Sequence, residues 1–192
     1  MLKIDMSKAY GRISWRFIIK MLSAWGFSEK WINLVYRNNS NRWDSVMWNG
    51  NSYGFFKSNR GVRQGDPLSP NIFILAMEFF SKLINEGIQK REISAYKIEG
   101  CRSHIHHLMY ADDLLIFSNG HINSVDKLMK TIKKFCGMSG EKFNPAKSKI
   151  FFSKHIGLDR RKQILKETEF HEGTFPTRYL GAPLFPGRDR IT

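Results

Sequence analysis

Residues 104–117 read HIHHLMYADDLLIF, and this stretch decides the fold. Two β-rich runs, residues 104–110 and 114–117, are separated only by Ala111-Asp112-Asp113, a spacing typical of a β-hairpin. Adjacent carboxylates at a hairpin tip repel each other, and one pKa rises unless a cation intervenes. The stretch therefore indicates either a plain polar turn or a hairpin that carries a divalent metal, and the remaining sequence decides between them.

The rest of the chain alternates irregularly between strand and helix patterns. Strands are predicted at residues 2–5, 43–48, 53–56, 149–152 and 178–184, and Asn49-Gly50 predicts a hairpin turn between the second and the third. Helices are predicted after the caps Ser14 and Ser28, and at residues 71–89, 123–136 and 158–167. The helix at 123–136 is predicted to be amphipathic, with lysines on its outer face. This pattern predicts an α+β fold with helices packed on one face of an antiparallel sheet. No linker is evident, so residues 1–192 are expected to form one domain.

The charge distribution favours a polyanionic partner. The net charge is +14 and the sequence pI is about 9.9. Residues 1–66 carry 11 basic and 4 acidic side chains, and residues 120–192 carry 15 basic and 7 acidic side chains. Residues 67–119 between them carry 5 basic and 6 acidic side chains. Basic flanks around a near-neutral middle suit a groove whose walls bind phosphates and whose floor carries carboxylates.

Other classes of protein fit the sequence poorly. No apolar run reaches the roughly 18 residues that a membrane-spanning helix needs, so no membrane partner is expected. Cys101 and Cys136 form no close pair, which argues against a disulfide framework or a zinc site and favours a reducing, intracellular compartment. His104, His106 and His107 have no further ligand at a recognisable spacing, so we expect structural or surface roles for them.

A third carboxylate, Asp5, ends the first apolar strand. If that strand lies beside the hairpin, Asp5 converges with Asp112 and Asp113. Mg²⁺ prefers a few carboxylates plus substrate phosphates. Two such ions about 3.5–4 Å apart can activate a 3′-hydroxyl and stabilise a leaving pyrophosphate. The sequence therefore predicts a site for two Mg²⁺ ions, with Mn²⁺ as a substitute.

Five motifs follow one another along the chain. They are KIDMSKAY at residues 3–10, RGVRQGDPLSP at 60–70, YADD at 110–113, FNPAKS at 143–148 and YLG at 179–181. In this order they resemble the motifs of LINE-type (non-LTR) retrotransposon reverse transcriptases, and they are most like those of plant elements. The resemblance covers nearly the whole chain. It implies a polymerase palm whose sheet carries the catalytic hairpin, with the region towards the thumb starting at about 157–192.

The resemblance implies catalytic roles for four residues. Asp5 and Asp112 would be the main metal ligands, with Asp113 beside them. Lys147 would either protonate the leaving pyrophosphate or pair with a phosphate. Asp66 is expected to cap the turn before Pro67 rather than to bind metal.

The resemblance also implies a nucleotide site. Tyr10 would lie under the incoming sugar, where its ring would clash with a 2′-hydroxyl; the alternative is an ordinary core tyrosine. Gln64 and Gly65 would line the pocket, and Gly65 would allow close backbone approach. Arg60 and Arg63 would contact the template or the triphosphate, unless they are simply solvated in their loop.

The remaining implied contacts are with nucleic acid. Tyr179, Leu180 and Gly181 would form the turn that grips the primer. The implied partners are an RNA template, a DNA primer and deoxynucleoside triphosphates. The implied location is the nucleus.

Two features depart from the family pattern. Gly11 stands where the family usually carries Asp, so a side chain that would anchor the following turn is absent, as in a decayed copy of an element. The chain also begins at its first metal-ligand motif, with fingers and thumb missing or partial. We therefore expect this fragment to have little or no polymerase activity alone.

The sequence thus predicts the palm of an RNA-directed DNA polymerase from a LINE-type element. Two alternatives remain open. One is a non-catalytic, nucleic-acid-binding remnant of such an element, which Gly11 favours. The other is a group II intron-type reverse transcriptase. Tyr10 and the substrate-loop motif at residues 60–70 also fit that family.

Overall fold

The computed structural model describes residues 1–96 and 105–186. The helices are α1 (Ala9–Arg12), α2 (Trp15–Ala24), α3 (Glu29–Ser40), α4 (Ser69–Gln89), α5 (Ile122–Ser139) and α6 (Leu158–Thr168). The strands are β1 (Leu2–Asp5), β2 (Trp43–Trp48), β3 (Asn51–Lys57), β4 (His107–Tyr110), β5 (Asp113–Ile116), β6 (Lys149–Ile150), β7 (His171–Glu172), β8 (Thr177–Tyr179) and β9 (Ala182–Leu184). The predicted mixture of helices and strands is confirmed.

The chain folds as two compact units. The sheet unit comprises Met1–Ser7, Phe80–Lys134 and Phe143–Thr192. The loop unit comprises Lys8–Phe79 and Phe135–Lys142. No helix in the part of the chain that the structure describes is long and apolar enough to cross a membrane.

The sheet unit is built on a five-stranded sheet in the order β4-β5-β1-β6-β7. Neighbouring strands in this sheet run antiparallel, except that β6 and β7 are parallel. In β1, the buried Leu2 and Ile4 alternate with the half-buried Lys3 and Asp5, which is the period-two pattern of a strand with one covered face. The predicted strand at residues 2–5 is therefore confirmed.

Helix α5 is amphipathic, as predicted. Its positions Val125, Leu128 and Ile132 are buried, whereas Lys130 and Lys133 are exposed. Apolar residues spaced by three and four lie on one helical face, so the lysines lie on the other. The helix is longer than predicted and begins at Ile122.

The end of the sheet unit differs from the prediction of one strand at residues 178–184. It forms a separate hairpin of β8 and β9, in which Tyr179 pairs with Ala182. Leu180 and Gly181 have φ values of 51° and 82°, and such left-handed backbone at both central residues reverses the chain in two residues. The strand predicted at residues 149–152 is only two residues long in the structure, where it is β6. The sequence does not predict β7, because two residues are too few to show the alternation of a strand. His104, from the predicted run at 104–110, lies outside the described residues.

The loop unit contains α1, α2, α3 and the hairpin of β2 and β3. The Ser28 hydroxyl accepts the Trp31 backbone N–H at 3.4 Å, which confirms the predicted cap of α3. Ser14 precedes α2, but its side chain makes no cap hydrogen bond, so the predicted cap of α2 is wrong. Asn49 and Gly50 have φ values of 49° and 80°, which confirms the predicted hairpin turn. Helix α1 was not predicted, since four residues give no helical period.

Candidate active site

Asp5 and Asp113 are direct partners in the sheet. Asp5 ends β1, Asp113 begins β5, and the antiparallel register places them opposite each other. The preceding pair, Ile4 and Leu114, is fully buried, so the pleat turns both carboxylates to the other face, where their side chains are half-buried. Residues in such a pair have Cβ atoms about 4.5–5.5 Å apart. The register therefore places the Asp5 and Asp113 side chains as neighbours on one face of the sheet.

Asp112 lies at the exposed tip of the β4–β5 hairpin. Tyr110 pairs with Asp113, so the loop consists of Ala111 and Asp112 alone. Ala111 has a φ of 50°, the left-handed value that a two-residue hairpin loop needs at its first position. The predicted hairpin is confirmed, and its turn is shorter than the predicted spacer because Asp113 belongs to β5.

The carboxylate pair fits a divalent metal that arrives with substrate. Within residues 1–96 and 105–186, no three His, Cys, Asp or Glu side chains form a group that could hold a metal. Mg²⁺, however, often takes one or two carboxylates and completes its shell with water and substrate phosphates. Like charges directly opposite each other in a sheet also destabilise it, and a cation between them removes that cost. The register favours Asp5 and Asp113 as a donor pair, whereas the sequence favours Asp5 and Asp112, and the roles of all three carboxylates as metal ligands stay predictions.

A tight turn, Asn144–Ser148, holds the backbone of Asp5. The Asn144 N–H donates to the Asp5 carbonyl at 2.9 Å, and the Asp5 N–H donates to the Ser148 hydroxyl at 3.3 Å. The Ser148 hydroxyl in turn donates to the Asn144 carbonyl at 2.8 Å. Lys147 lies in this turn with an exposed side chain. The turn that carries Lys147, a predicted catalytic residue, therefore contacts the motif at residues 3–10 directly.

The β8–β9 hairpin lies against the carboxylate face of the sheet. Lys3, two residues before Asp5 and on the same face of β1, donates from Nζ to the Arg178 carbonyl at 2.6 Å. Burial and the nearby negative charge of Asp113 raise the pKa of the Tyr179 hydroxyl. The structure thus brings the predicted Tyr179-Leu180-Gly181 turn next to the carboxylates.

In the loop unit, the substrate loop (residues 60–70) packs on α1 through backbone contacts. The Gly61 N–H donates to the Ile13 carbonyl and the Val62 N–H to the Tyr10 carbonyl, each at 2.8 Å. The Trp15 indole N–H donates to the Gly61 carbonyl at 2.7 Å. A Cβ on Gly61, whose φ is 84°, would lie 2.9 Å from the Gly11 carbonyl oxygen. The two motifs are therefore in direct contact, and only glycine fits at position 61.

The predicted nucleotide residues of this loop face solvent. Arg60, Arg63, Gln64 and Gly65 are all exposed. Asp66 instead closes the turn, because its carboxylate accepts the Leu68 N–H at 2.8 Å and the Asn38 amide at 2.7 Å. These hydrogen bonds, led by the one from Leu68, lower the pKa of Asp66. The prediction that Asp66 caps the turn is confirmed.

Tyr10 and Gly11 lie in α1. The half-buried Tyr10 ring stacks on Phe73, with centroids 5.0 Å apart and an interplanar angle of 23°. One face of the ring is thus covered by protein, and its predicted role beneath a sugar stays a prediction. A Cβ on Gly11 would meet no atom within 4 Å, so a side chain can begin at this position without a clash at Cβ.

Sequence reasoning missed the residues that support the site rather than form it. Ser148 lies in the motif at residues 143–148, where no local pattern predicts a role for it, and none predicts a role for Lys3 or Trp15. Their contacts depend on chain segments 143, 175 and 46 residues away, respectively. The alternation of β1 does place Lys3 on the face of Asp5, and this was the one available signal.

The comparisons with known proteins agree with the geometry. Residues 1–184 match the family described as reverse transcriptase (RNA-dependent DNA polymerase). A retrovirus-related Pol polyprotein from a type-2 retrotransposable element of Drosophila melanogaster is 29% identical over 172 residues, which are 89% of this chain and 15% of that polyprotein. A Pol polyprotein from a type-1 retrotransposable element of Popillia japonica is 25% identical over 144 residues, 75% of this chain and 23% of that polyprotein.

A plant relative is shorter. An uncharacterised mitochondrial protein of Arabidopsis thaliana is 38% identical over 65 residues, 34% of this chain and 53% of that protein. The chain therefore spans about half of the plant relative and less than a quarter of each Pol polyprotein. The match over residues 1–184 and the retrotransposon relatives confirm the expected likeness to LINE-type enzymes. The chain belongs to the reverse transcriptase family of RNA-directed DNA polymerases.

Proposed function

We propose that this chain is the palm of a LINE-type reverse transcriptase, which extends a DNA primer with deoxynucleotides by copying an RNA template. The observation that carries the proposal is the direct pairing of Asp5 with Asp113 on one face of the sheet, beside the hairpin tip that bears Asp112. In this proposal residues 1–192 form one partial reverse transcriptase domain. Its palm sheet carries the catalytic hairpin, and its part towards the thumb starts at about 157–192.

The carboxylates would hold the metal. Asp5 and Asp113 would bind Mg²⁺, or Mn²⁺ in its place, and Asp112 would add a donor from the hairpin tip. Two such ions supply activation of the primer 3′-hydroxyl and stabilisation of the leaving pyrophosphate. The Asn144–Ser148 turn would keep Asp5 in place while substrate binds, and the exposed Lys147 amine would protonate the pyrophosphate or pair with its charge.

The loop unit would bind the nucleotide. Exposed Arg63, Gln64 and Gly65 would contact its phosphates and sugar, and Arg60 would contact the template. Tyr10 would discriminate against a 2′-hydroxyl.

The primer would bind at the Tyr179-Leu180-Gly181 turn, which Lys3 holds on the carboxylate face. The net charge of +14 supports nucleic acid as the partner. In a LINE-type element the primer would be nicked chromosomal DNA, so the protein would act in the nucleus.

Primer extension on an RNA template tests the proposal, with the chain assayed inside the complete protein of its element. Asp5→Asn and Asp113→Asn should each lower the rate by at least about 100-fold, the scale of losing a catalytic charge. Asp159→Asn, at the exposed start of α6, is the matched control and should retain the parental rate. Equal rates for all four proteins would refute the proposal.

One feature favours a second function, a nucleic-acid-binding remnant without catalysis. By resemblance, Gly11 stands where the family usually carries Asp, and a Cβ at this position would meet no atom within 4 Å. Activity that appears only in Gly11→Asp would identify a palm disabled by one substitution. A folded Gly11→Asp protein that binds RNA and stays inactive would favour the remnant.

A further inference from the structure

The Asn144–Ser148 turn replaces the sheet ladder on one side of Asp5. The β1–β6 ladder pairs Leu2 with Ile150 and Lys3 with Lys149, and beyond Asp5 a single antiparallel bridge pairs Met6 with Phe143. On its other side, Asp5 pairs with Asp113. The backbone of Asp5 is thus fixed by a strand on one side and by a turn on the other.

Ser148 is the residue through which this turn holds Asp5. Its side chain is fully buried, and its hydroxyl accepts the Asp5 N–H at 3.3 Å while it donates to the Asn144 carbonyl at 2.8 Å. The Asn144 carbonyl also accepts the backbone N–H groups of Lys147, at 3.2 Å, and of Ser148, at 2.9 Å. The Asn144 N–H closes the ring on the Asp5 carbonyl. Asp5 and the backbone of Lys147 therefore belong to one hydrogen-bonded unit with Ser148 at its centre.

We propose that Ser148 is a positioning residue that fixes Asp5 and the Lys147 turn together, so that the Asp5 carboxylate meets Asp113 in the geometry that binds a divalent metal. This inference rests on the proposed function, since it concerns the same carboxylate site. A buried hydroxyl that donates and accepts at once leaves its partners little freedom to shift. Groups that hydrogen-bond a metal-binding segment commonly change metal affinity by 10- to 100-fold when they are removed.

The chain offers a matched control in Ser124. It is also a buried serine of the sheet unit, and its hydroxyl accepts a backbone N–H, that of Ser94, at 2.8 Å. Ser148→Ala and Ser124→Ala therefore both remove a buried hydroxyl that accepts a backbone N–H, and Ser148→Ala also removes the bond to the Asn144 carbonyl. Only Ser148→Ala acts on the backbone of Asp5.

The experiment uses the 192-residue chain with two readouts, amide hydrogen exchange by NMR and affinity for Mn²⁺ alone. In Ser148→Ala we expect the Asp5 amide to exchange about tenfold faster and Mn²⁺ affinity to fall about tenfold. In Ser124→Ala we expect both quantities to match the parent. If Ser148→Ala does not fold, Ser148→Cys replaces it, because a thiol of similar size is a weak hydrogen-bonding group.

The proposal is overturned if folded Ser148→Ala keeps parental Mn²⁺ affinity, even with faster exchange, because Ser148 would then be structural only. It is also overturned if Ser124→Ala lowers the affinity equally. Asp5→Asn and Asp113→Asn report separately on the proposed metal site, which is refuted if both bind Mn²⁺ like the parent. In that case the proposed effect of Ser148 on metal binding is refuted with the site, and the exchange rate of the Asp5 amide reports only on the backbone of Asp5.

Discussion

At the scale of single residues, the carboxylate face of the sheet carries an unbalanced charge. Asp5 and Asp113 lie opposite each other, and like charges in such a pair destabilise a sheet. Lys3 lies on the same face, but its ammonium group is bound to the Arg178 carbonyl. A cation bound between the two carboxylates would remove this cost.

Asp113→Asn should stabilise the protein without metal and remove its response to metal. We expect a gain of about 0.5–1 kcal/mol in the free energy of unfolding in EDTA, because the cross-strand repulsion is gone. The parent should gain about 2.7 kcal/mol at a Mn²⁺ concentration 100 times its Kd, and the variant far less. Urea unfolding with EDTA and with Mn²⁺ measures both. The same Mn²⁺ response in parent and variant would contradict the predicted site.

Glu141 should make the free energy of unfolding depend on pH. Its side chain is 1% exposed, and burial raises its pKa to about 8 against the opposing effect of the Arg12 charge. The folded protein thus holds a proton that the unfolded chain, with a usual pKa of 4.5, has released. The free energy of unfolding should therefore fall as pH rises from about 4.5 to 8.

Glu141→Gln should flatten this pH dependence, because an amide does not titrate. At pH 8 the variant should be more stable than the parent by on the order of a few kcal/mol. Urea unfolding at pH 5, 6.5 and 8 measures the difference. Glu167→Gln, at an exposed position on α6, is the control and should keep the parental slope. Parallel curves for parent and Glu141→Gln would show that the buried carboxyl is not the cause.

At the scale of elements, hairpin turns and one loop contact set the positions of the motifs. The β4–β5 turn presents Asp112, and the β8–β9 turn presents Leu180 and Gly181. The substrate loop is fixed on α1 by hydrogen bonds from Gly61 and Val62. These contacts involve backbone atoms, so the loop tolerates changes of side chain but not of backbone shape.

Gly61→Ala should therefore destabilise the protein strongly. The new Cβ would lie 2.9 Å from the Gly11 carbonyl oxygen, at a φ of 84°. We expect a loss of about 2–4 kcal/mol, since left-handed backbone costs an alanine about 1–2 kcal/mol and the clash adds to it. Gly65→Ala is the matched control, because its φ is 86° but its Cβ meets nothing within 4 Å. Thermal and urea unfolding compare the two, and an equal loss would show that the contact with α1 is unimportant.

The elements also show how far the sequence predicts the fold. Asn49-Gly50 and the polar break at Ala111-Asp112 predict their hairpins, because such residues suit the turn. Leu180 does not predict the β8–β9 turn, because leucine seldom adopts a positive φ. The sequence of residues 178–184 therefore predicts a single strand. The contact of Ser148 with Asp5 follows from how β1 and β6 pair, and no local pattern contains that information.

At the scale of the whole molecule, charge is the property that sequence predicts best. The excess of +14 lies on both flanks of a near-neutral middle, and this holds whatever the fold. The division into two units was not predicted, because no linker or shift in composition marks residues 7–8, 79–80 or 134–135. Compact units depend on contacts between distant segments, which composition does not record.

Binding of single-stranded RNA should depend steeply on salt. If about five phosphates are neutralised, the slope of log K against log salt concentration should be about −3.5, because bound counterions are released. Fluorescence anisotropy between 50 and 200 mM salt measures the slope. A methylphosphonate oligonucleotide, which lacks backbone charge, is the control and should bind weakly at every salt concentration. A slope near zero for RNA would contradict an electrostatic nucleic-acid surface.

The central claim is that Asp5 and Asp113 together bind a divalent metal on the carboxylate face of the sheet. Anomalous diffraction from crystals grown with Mn²⁺ and a non-hydrolysable deoxynucleoside triphosphate tests it most directly. We predict a Mn²⁺ peak about 2–2.3 Å from oxygens of both carboxylates, with a second peak about 3.5–4 Å away. Mn²⁺ and nucleotide bound elsewhere, with no peak at Asp5 and Asp113, would contradict the claim.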